Sequence, residues 1–144
     1  MPLINGRVTK NLFNNIITKM DNKLNVWYNK YLSLAGRTVL INSNLQNIPY
    51  YAMAAFNLPQ GIKQGIQCKM KKYLWHSSKG LKQIAKTSWN LVSSPKIQGA
   101  LGIKNIYLMN RAFQMKIIWK LLNEPNSLFT KLIQTKYYPH SSPA

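Results

Sequence analysis

Asp21 and Glu124 are the only carboxylate side chains in this chain, and they stand far apart in it. Nucleotidyl and phosphoryl transfer by two metal ions needs a cluster of carboxylates around the ions. Paired-acid hydrolysis needs two carboxyls facing each other across one bond. One Asp and one Glu assemble neither. His76 lies in a turn-like stretch and His140 near the end of the sequence, without partners at metal-ligand or triad spacing. Cys68 is the single cysteine, which excludes an intramolecular disulfide and a Cys-rich zinc site. The expectation is a chain that is not an enzyme and that uses no metal or cofactor.

What the sequence does offer is positive charge: 20 Lys and Arg against 2 acids, a formal +18 in 144 residues. A surface this cationic favours a polyanionic partner, RNA or a DNA or RNA–DNA duplex first among them. An anionic membrane surface is the other partner of that sign, although no run reaches the roughly 18 apolar residues of a membrane span. Codon bias alone, suggested by the abundance of Asn, Ile and Lys, leaves the near absence of Asp and Glu unexplained. The opening MPLINGRVTKNLFNNIITKM is basic, amphipathic and acid-free until Asp21, as a mitochondrial transit segment would be. Its apolar period nevertheless continues into Leu24 and Trp27, as a core helix would.

Candidate phosphate contacts concentrate in SLAGRTVLINS, residues 33–43. A glycine inside a helix costs about 1 kcal/mol relative to alanine, so Gly36 calls for compensation. On an α-helical wheel Leu34, Ile41, Leu45 and Ile48 share one side. Gly36, Arg37, Ser43, Asn44 and Asn47 fall on the other, with Leu40 among them. Small and amide side chains beside one Arg suit close approach to a sugar–phosphate backbone. The alternative is that Gly36 only admits another helix. Lys63, Lys69, Lys71 and Lys72 form a second basic set on the next long helix, and Lys79, Lys82 and Lys86 a weaker third. Arg111, Lys116 and Lys120 suit the edge of a mostly apolar helix. Trp27, Trp75, Trp89 and Trp119 could stack on bases, but their positions fit core packing better.

The elements that must carry these residues read as all-α, a helical bundle of two linked clusters, residues 1–75 and 76–144. Phe13, Ile17, Met20, Leu24, Trp27 and Tyr31 step by four and three, one packed helix face. Ser33 is placed to cap a second helix that ends near Pro49. PYYAMAAFN has no clear period. Leu58-Pro59 opens a third helix through Ile62, Ile66, Met70 and Tyr73 to about Trp75. Trp89 sits in a short irregular stretch, and PKIQGALG reads as a loop. A long helix from Ile103 to Leu122 is apolar on most sides, with Leu108, Ala112, Met115, Trp119 and Leu122 on one face and Ile106, Phe113 and Ile117 close behind, as befits the centre of a bundle. Pro125 suits the first turn of a last helix through Leu128, Leu132 and Ile133.

In order, Trp27, LSLAGRTVLINSNLQNIPYYAM, Tyr73-Leu74-Trp75, Ser88-Trp89, PKIQGALGIKN, MNRAFQMKIIWKLLNEPNSL and KYYP resemble one segment of a known family. It is the region after the polymerase palm in plant LINE-type (non-LTR) retrotransposon reverse transcriptases. Short reading frames of plant mitochondrial genomes are similar to it. The resemblance spans essentially the whole chain, and MPLINGRV looks like the end of the palm boundary motif. It implies that residues 1–75 are thumb-like and 76–144 a C-terminal helical extension, both separated from the catalytic carboxylates. It also implies duplex backbone as ligand, a palm supplied elsewhere as a further partner, and a mitochondrial or nuclear setting. Ser93, Ala100 and His76 depart from the Cys, Gly and Gly common at those places.

Overall fold

The computed structural model describes residues 13–28, 31–76 and 85–137. The expectations placed on residues 1–12, on Lys79 and Lys82, and on His140 and the tail lie outside them. Seven α-helices and no strand occur among the described residues: α1 (Asn14–Tyr28), α2 (Leu34–Leu40), α3 (Tyr50–Ala55), α4 (Gln60–Leu74), α5 (Trp89–Val92), α6 (Ile106–Asn123) and α7 (Leu128–Tyr137). The all-α expectation holds. None of these helices is long and apolar enough to cross a membrane.

α1 packs along α4. Phe13, Met20 and Leu24 are buried against Ile62, Ile66, Met70 and Tyr73, and the rings of Trp27 and Tyr28 lie 5.8 and 5.7 Å from that of Tyr73. Tyr31, expected on this stripe, is 88% exposed.

Ser33 caps α2 as its type predicts: its hydroxyl accepts from the Gly36 N–H at 3.2 Å. The helix then widens. Ile41–Leu45 form a π segment, in which the Gln46 N–H reaches the Ile41 carbonyl at 3.0 Å. Ile41 and Leu45 enter the core, whereas Leu34 is 41% exposed. Residues 46–49 are a turn, and Pro49 leads into α3.

Asn110 decides how α6 sits. Leu58 precedes α4, so its N–H has no helical acceptor; the Asn110 Oδ1 accepts from it at 3.0 Å. The same amide donates to the carbonyls of Phe56 (3.0 Å) and Met53 (3.4 Å), and Gln114 adds a bond to Met53 at 2.9 Å. These bonds turn Ile106, Met109 and Phe113 towards the core. The expected packing face is thereby corrected: Leu108, Met115, Trp119 and Leu122 lie on the opposite, solvent side, with Trp119 68% exposed. α7 packs on α6, and its Leu128 and Leu132 are exposed as well. Its cap is Ser127, whose hydroxyl accepts from the Thr130 N–H at 3.2 Å, and Pro125 stands in the preceding turn.

The supposed irregular stretch holds α5, capped by the Ser88 hydroxyl. Its Trp89 and Val92, with Ile103 and Ile106, belong to the same core cluster as α1 and α4. In PKIQGALG a short 3₁₀ turn, Lys96–Gln98, ends at Gly99, and Gly99 and Gly102 adopt the left-handed φ values of +78° and +65° that glycine tolerates.

Candidate nucleic-acid interface

On α1, Lys19, Asn22 and Lys23 recur at i, i+3 and i+4, so they share one face, turned away from Met20 and Leu24. Opposite that face stand Ser43 and Asn44 of the π segment, then Asn47, Ile48 and Tyr51. An open groove of about 580 Å³ runs between these two walls. The Ser43 hydroxyl donates to the Val39 carbonyl at 2.8 Å and accepts from the Asn44 amide at 2.9 Å, while the Asn47 amide donates to the Ser43 carbonyl. Ser43 thus holds both amides in place and leaves their carbonyl oxygens available as acceptors.

The electrostatics of the groove are uncompensated. Asp21 is ion-paired with Lys69 of α4, and Glu124 lies 3.6 Å from Lys120. No other carboxylate side chain exists to face Lys19 or Lys23. Like charges four apart on a helix repel by about 0.2–0.5 kcal/mol, which a bound phosphate would relieve.

The π segment divides the expected SLAGRTVLINS contact face. On a continuous α-helix Ser43 and Asn44 would stand above Gly36 and Arg37. One extra residue in the turn resets the wheel by about 100°. Ser43, Asn44 and Asn47 therefore face α1, whereas Arg37 faces the end of α4. Its Nε donates to the Leu32 carbonyl at 3.1 Å, and its Nη1 to the Leu74 carbonyl at 3.0 Å and to that of His76. The outward Arg37 expected from the wheel is corrected: it clasps carbonyls at the C-terminus of α4, which no intrahelical donor reaches.

Around Gly36, an added Cβ would meet Leu32 and Ser33 at 3.6 Å, ordinary contact. No described helix crosses closely enough to require a glycine there.

Three of the four α4 lysines already have partners. Lys63 donates to the Asn57 side chain at 3.1 Å and lies 5.7 Å from the Tyr107 ring centre. Lys69 is paired with Asp21, and Lys71 lies 5.6 Å from the Trp89 ring, where the cation–π attraction ties α4 to α5. Lys72 is exposed. Lys86 is exposed too, as are Arg111, Lys116 and Lys120 along α6. Of the tryptophans, Trp89 is buried and Trp27 and Trp75 are half-buried against the core. His76 lies 4.5 Å from the Tyr28 ring, tilted against it by 54°. Away from the groove, burial pushes the Tyr28 hydroxyl pKa up, helped by the Asp21 charge; burial also raises that of Tyr73, against the pull of Arg37.

The sequence reading therefore located one wall of the groove and missed the other. Lys19, Asn22 and Lys23 were legible as the polar back of the Phe13–Trp27 stripe. Tyr51 had no such signal, because PYYAMAAFN shows no period.

Two relatives from Arabidopsis thaliana match the chain. A protein named "Putative ribonuclease H protein" is 36% identical over 138 residues, which is 96% of this chain and 22% of that protein. An "Uncharacterized mitochondrial protein" is 28% identical over 96 residues, 66% of this chain and 62% of its own length. The chain thus spans about a fifth of the first relative and somewhat under two thirds of the second. No family model matches it, and no solved structure does.

Proposed function

We propose that this chain is a retroelement-derived helical segment, of the kind that follows the palm in non-LTR reverse transcriptases, and that it holds nucleic-acid backbone without performing chemistry on it. The observation that carries the reading is the groove between Lys19–Lys23 and Ser43–Asn47: paired cations without counter-charge facing pre-oriented amides. Phosphates would sit between the two ammonium groups, with the Asn44 and Asn47 carbonyl oxygens accepting from sugar hydroxyls. Such contacts position a strand and carry no sequence information. Similarity to part of a longer plant protein named for ribonuclease H, and to a mitochondrial one, supports descent from a larger element. The non-catalytic part of the reading rests on Asp21 and Glu124, which stand on α1 and at the C-terminal end of α6 and are each beside a lysine.

Fluorescence anisotropy with labelled RNA, RNA–DNA hybrid and DNA duplex tests it. Affinity is expected to fall steeply with salt, by about tenfold or more between 50 and 200 mM for two to four engaged phosphates. Undetectable or salt-insensitive binding to all three refutes it.

A second reading is favoured by the solvent side of α6 and α7, where Leu108, Met115, Trp119, Leu122, Leu128 and Leu132 are exposed. On this reading the chain is a relic with no present activity, its helices formerly packed on an absent palm. The isolated protein would then be aggregated or molten. A sharp, cooperative thermal transition of a monomer argues against that.

A further inference from the structure

Tyr51 is 86% exposed in the first turn of α3, and it lines the groove together with Asn44 and Asn47. Its neighbour Tyr50 behaves differently: that ring packs edge-on against Phe113, 5.7 Å away, beneath the Lys104 ammonium. Core packing therefore accounts for one tyrosine of the pair and not for the other. A solvent-facing aromatic beside a cationic channel is the arrangement by which proteins hold single strands: lysines follow the phosphates while a ring stacks on a base. In a continuous duplex the bases are paired and stacked on one another, so Tyr51 would find no free face.

Resting on the backbone-binding reading above, we infer that the groove takes a single-stranded segment, with an unpaired base stacked on Tyr51. The phosphates then run past Lys19 and Lys23, and the amide carbonyls of Asn44 and Asn47 lie beside the stacked base. Every base has a face to stack, so recognition is tolerant of sequence. Purines, with the larger face, bind more tightly than pyrimidines.

The test compares the full chain with Tyr51→Ala and Tyr51→Phe on three labelled probes: a ten-nucleotide oligoadenylate, a ten-nucleotide oligouridylate and a blunt ten-base-pair duplex. Tyr51→Ala is expected to weaken oligoadenylate binding by about tenfold or more and to narrow the difference between the two strands. Tyr51→Phe keeps the ring and stays within about twofold of the parent, and duplex affinity and salt slope remain unchanged in both variants. Because Tyr51 packs on nothing buried, thermal unfolding of the variants should match the parent. The inference is overturned if Tyr51→Ala leaves strand affinity unaltered, or weakens strand and duplex equally. In those cases backbone binding itself survives, whereas absence of binding by the parent protein removes both.

Discussion

Replacing Arg37 by alanine separates a structural role from a ligand-binding one, because the sequence pattern and the structure assign this residue differently. Its guanidinium makes three hydrogen bonds to carbonyls of Leu32, Leu74 and His76, joining the start of α2 to the end of α4. A hydrogen bond from a charged donor contributes about 1.5–3 kcal/mol, but this site is only half-buried and water can replace part of what is lost. Arg37→Ala should therefore cost about 2–4 kcal/mol in all. For a domain of this size each kcal/mol moves the midpoint by roughly 3–4 °C, which gives a Tm lowered by about 6–15 °C. Arg37→Lys keeps the charge yet loses the planar fork, so it should recover less than half of that. Thermal unfolding followed by circular dichroism reads the effect. Binding of labelled RNA–DNA hybrid, measured well below both transitions, should stay within about threefold of the parent, since only a distant unit charge is removed. An unchanged Tm together with a tenfold loss of affinity would refute the carbonyl clasp and restore Arg37 as a phosphate contact.

Further outcomes follow from the same geometry. Asn110→Ala strands the Leu58 N–H and the Phe56 carbonyl, and chemical denaturation should report a loss of about 2–4 kcal/mol; a loss under about 0.5 kcal/mol would show that α6 is not held by this amide. Tyr73→Phe removes a buried hydroxyl without a partner among the described residues, so stability at neutral pH should rise by up to about 1 kcal/mol. Folding raises the Tyr28 and Tyr73 pKa values above 10.0, so their contribution is intact below that pH. It is lost as pH rises through the folded-state values, because the unfolded chain releases these protons first. The double variant Tyr28→Phe/Tyr73→Phe should therefore lose less stability above pH 10 than the parent, which an unfolding series across that range would show. Gly36→Ala fits the available space and should stabilise by about 0.4–1 kcal/mol; destabilisation would contradict the contacts described around it.

The helices were legible where local chemistry decides them. Ile62, Ile66, Met70 and Tyr73 declare the buried side of α4 by spacing alone, and Ser33 marks the start of α2 because its hydroxyl reaches only three residues along, to the Gly36 N–H. The inner side of α6 was not legible. That helix is apolar on both flanks, and a polar residue, Asn110, chooses between them by meeting an N–H from a turn far away in sequence. The candidate site failed in part for a related reason. A wheel drawn at 3.6 residues per turn cannot register the π segment at Ile41–Leu45, and that widened turn separates Arg37 from Ser43 and Asn44. Lys69 and Lys71 read as free cations because their partners, Asp21 and Trp89, arrive only through packing.

The central claim is that Lys19 and Lys23 form the cationic wall of a nucleic-acid groove, and the salt dependence of binding tests it most directly. Each phosphate contact contributes close to one unit to the slope of log affinity against log salt. Lys19→Gln/Lys23→Gln should reduce that slope by about two relative to the parent protein, while leaving Tm unchanged or slightly raised as their mutual repulsion disappears. Removing the same charge elsewhere, with Lys116→Gln/Lys131→Gln, should leave the slope within about half a unit. Equal slopes for the parent and Lys19→Gln/Lys23→Gln, or an equal drop in the α6–α7 control, would contradict the account.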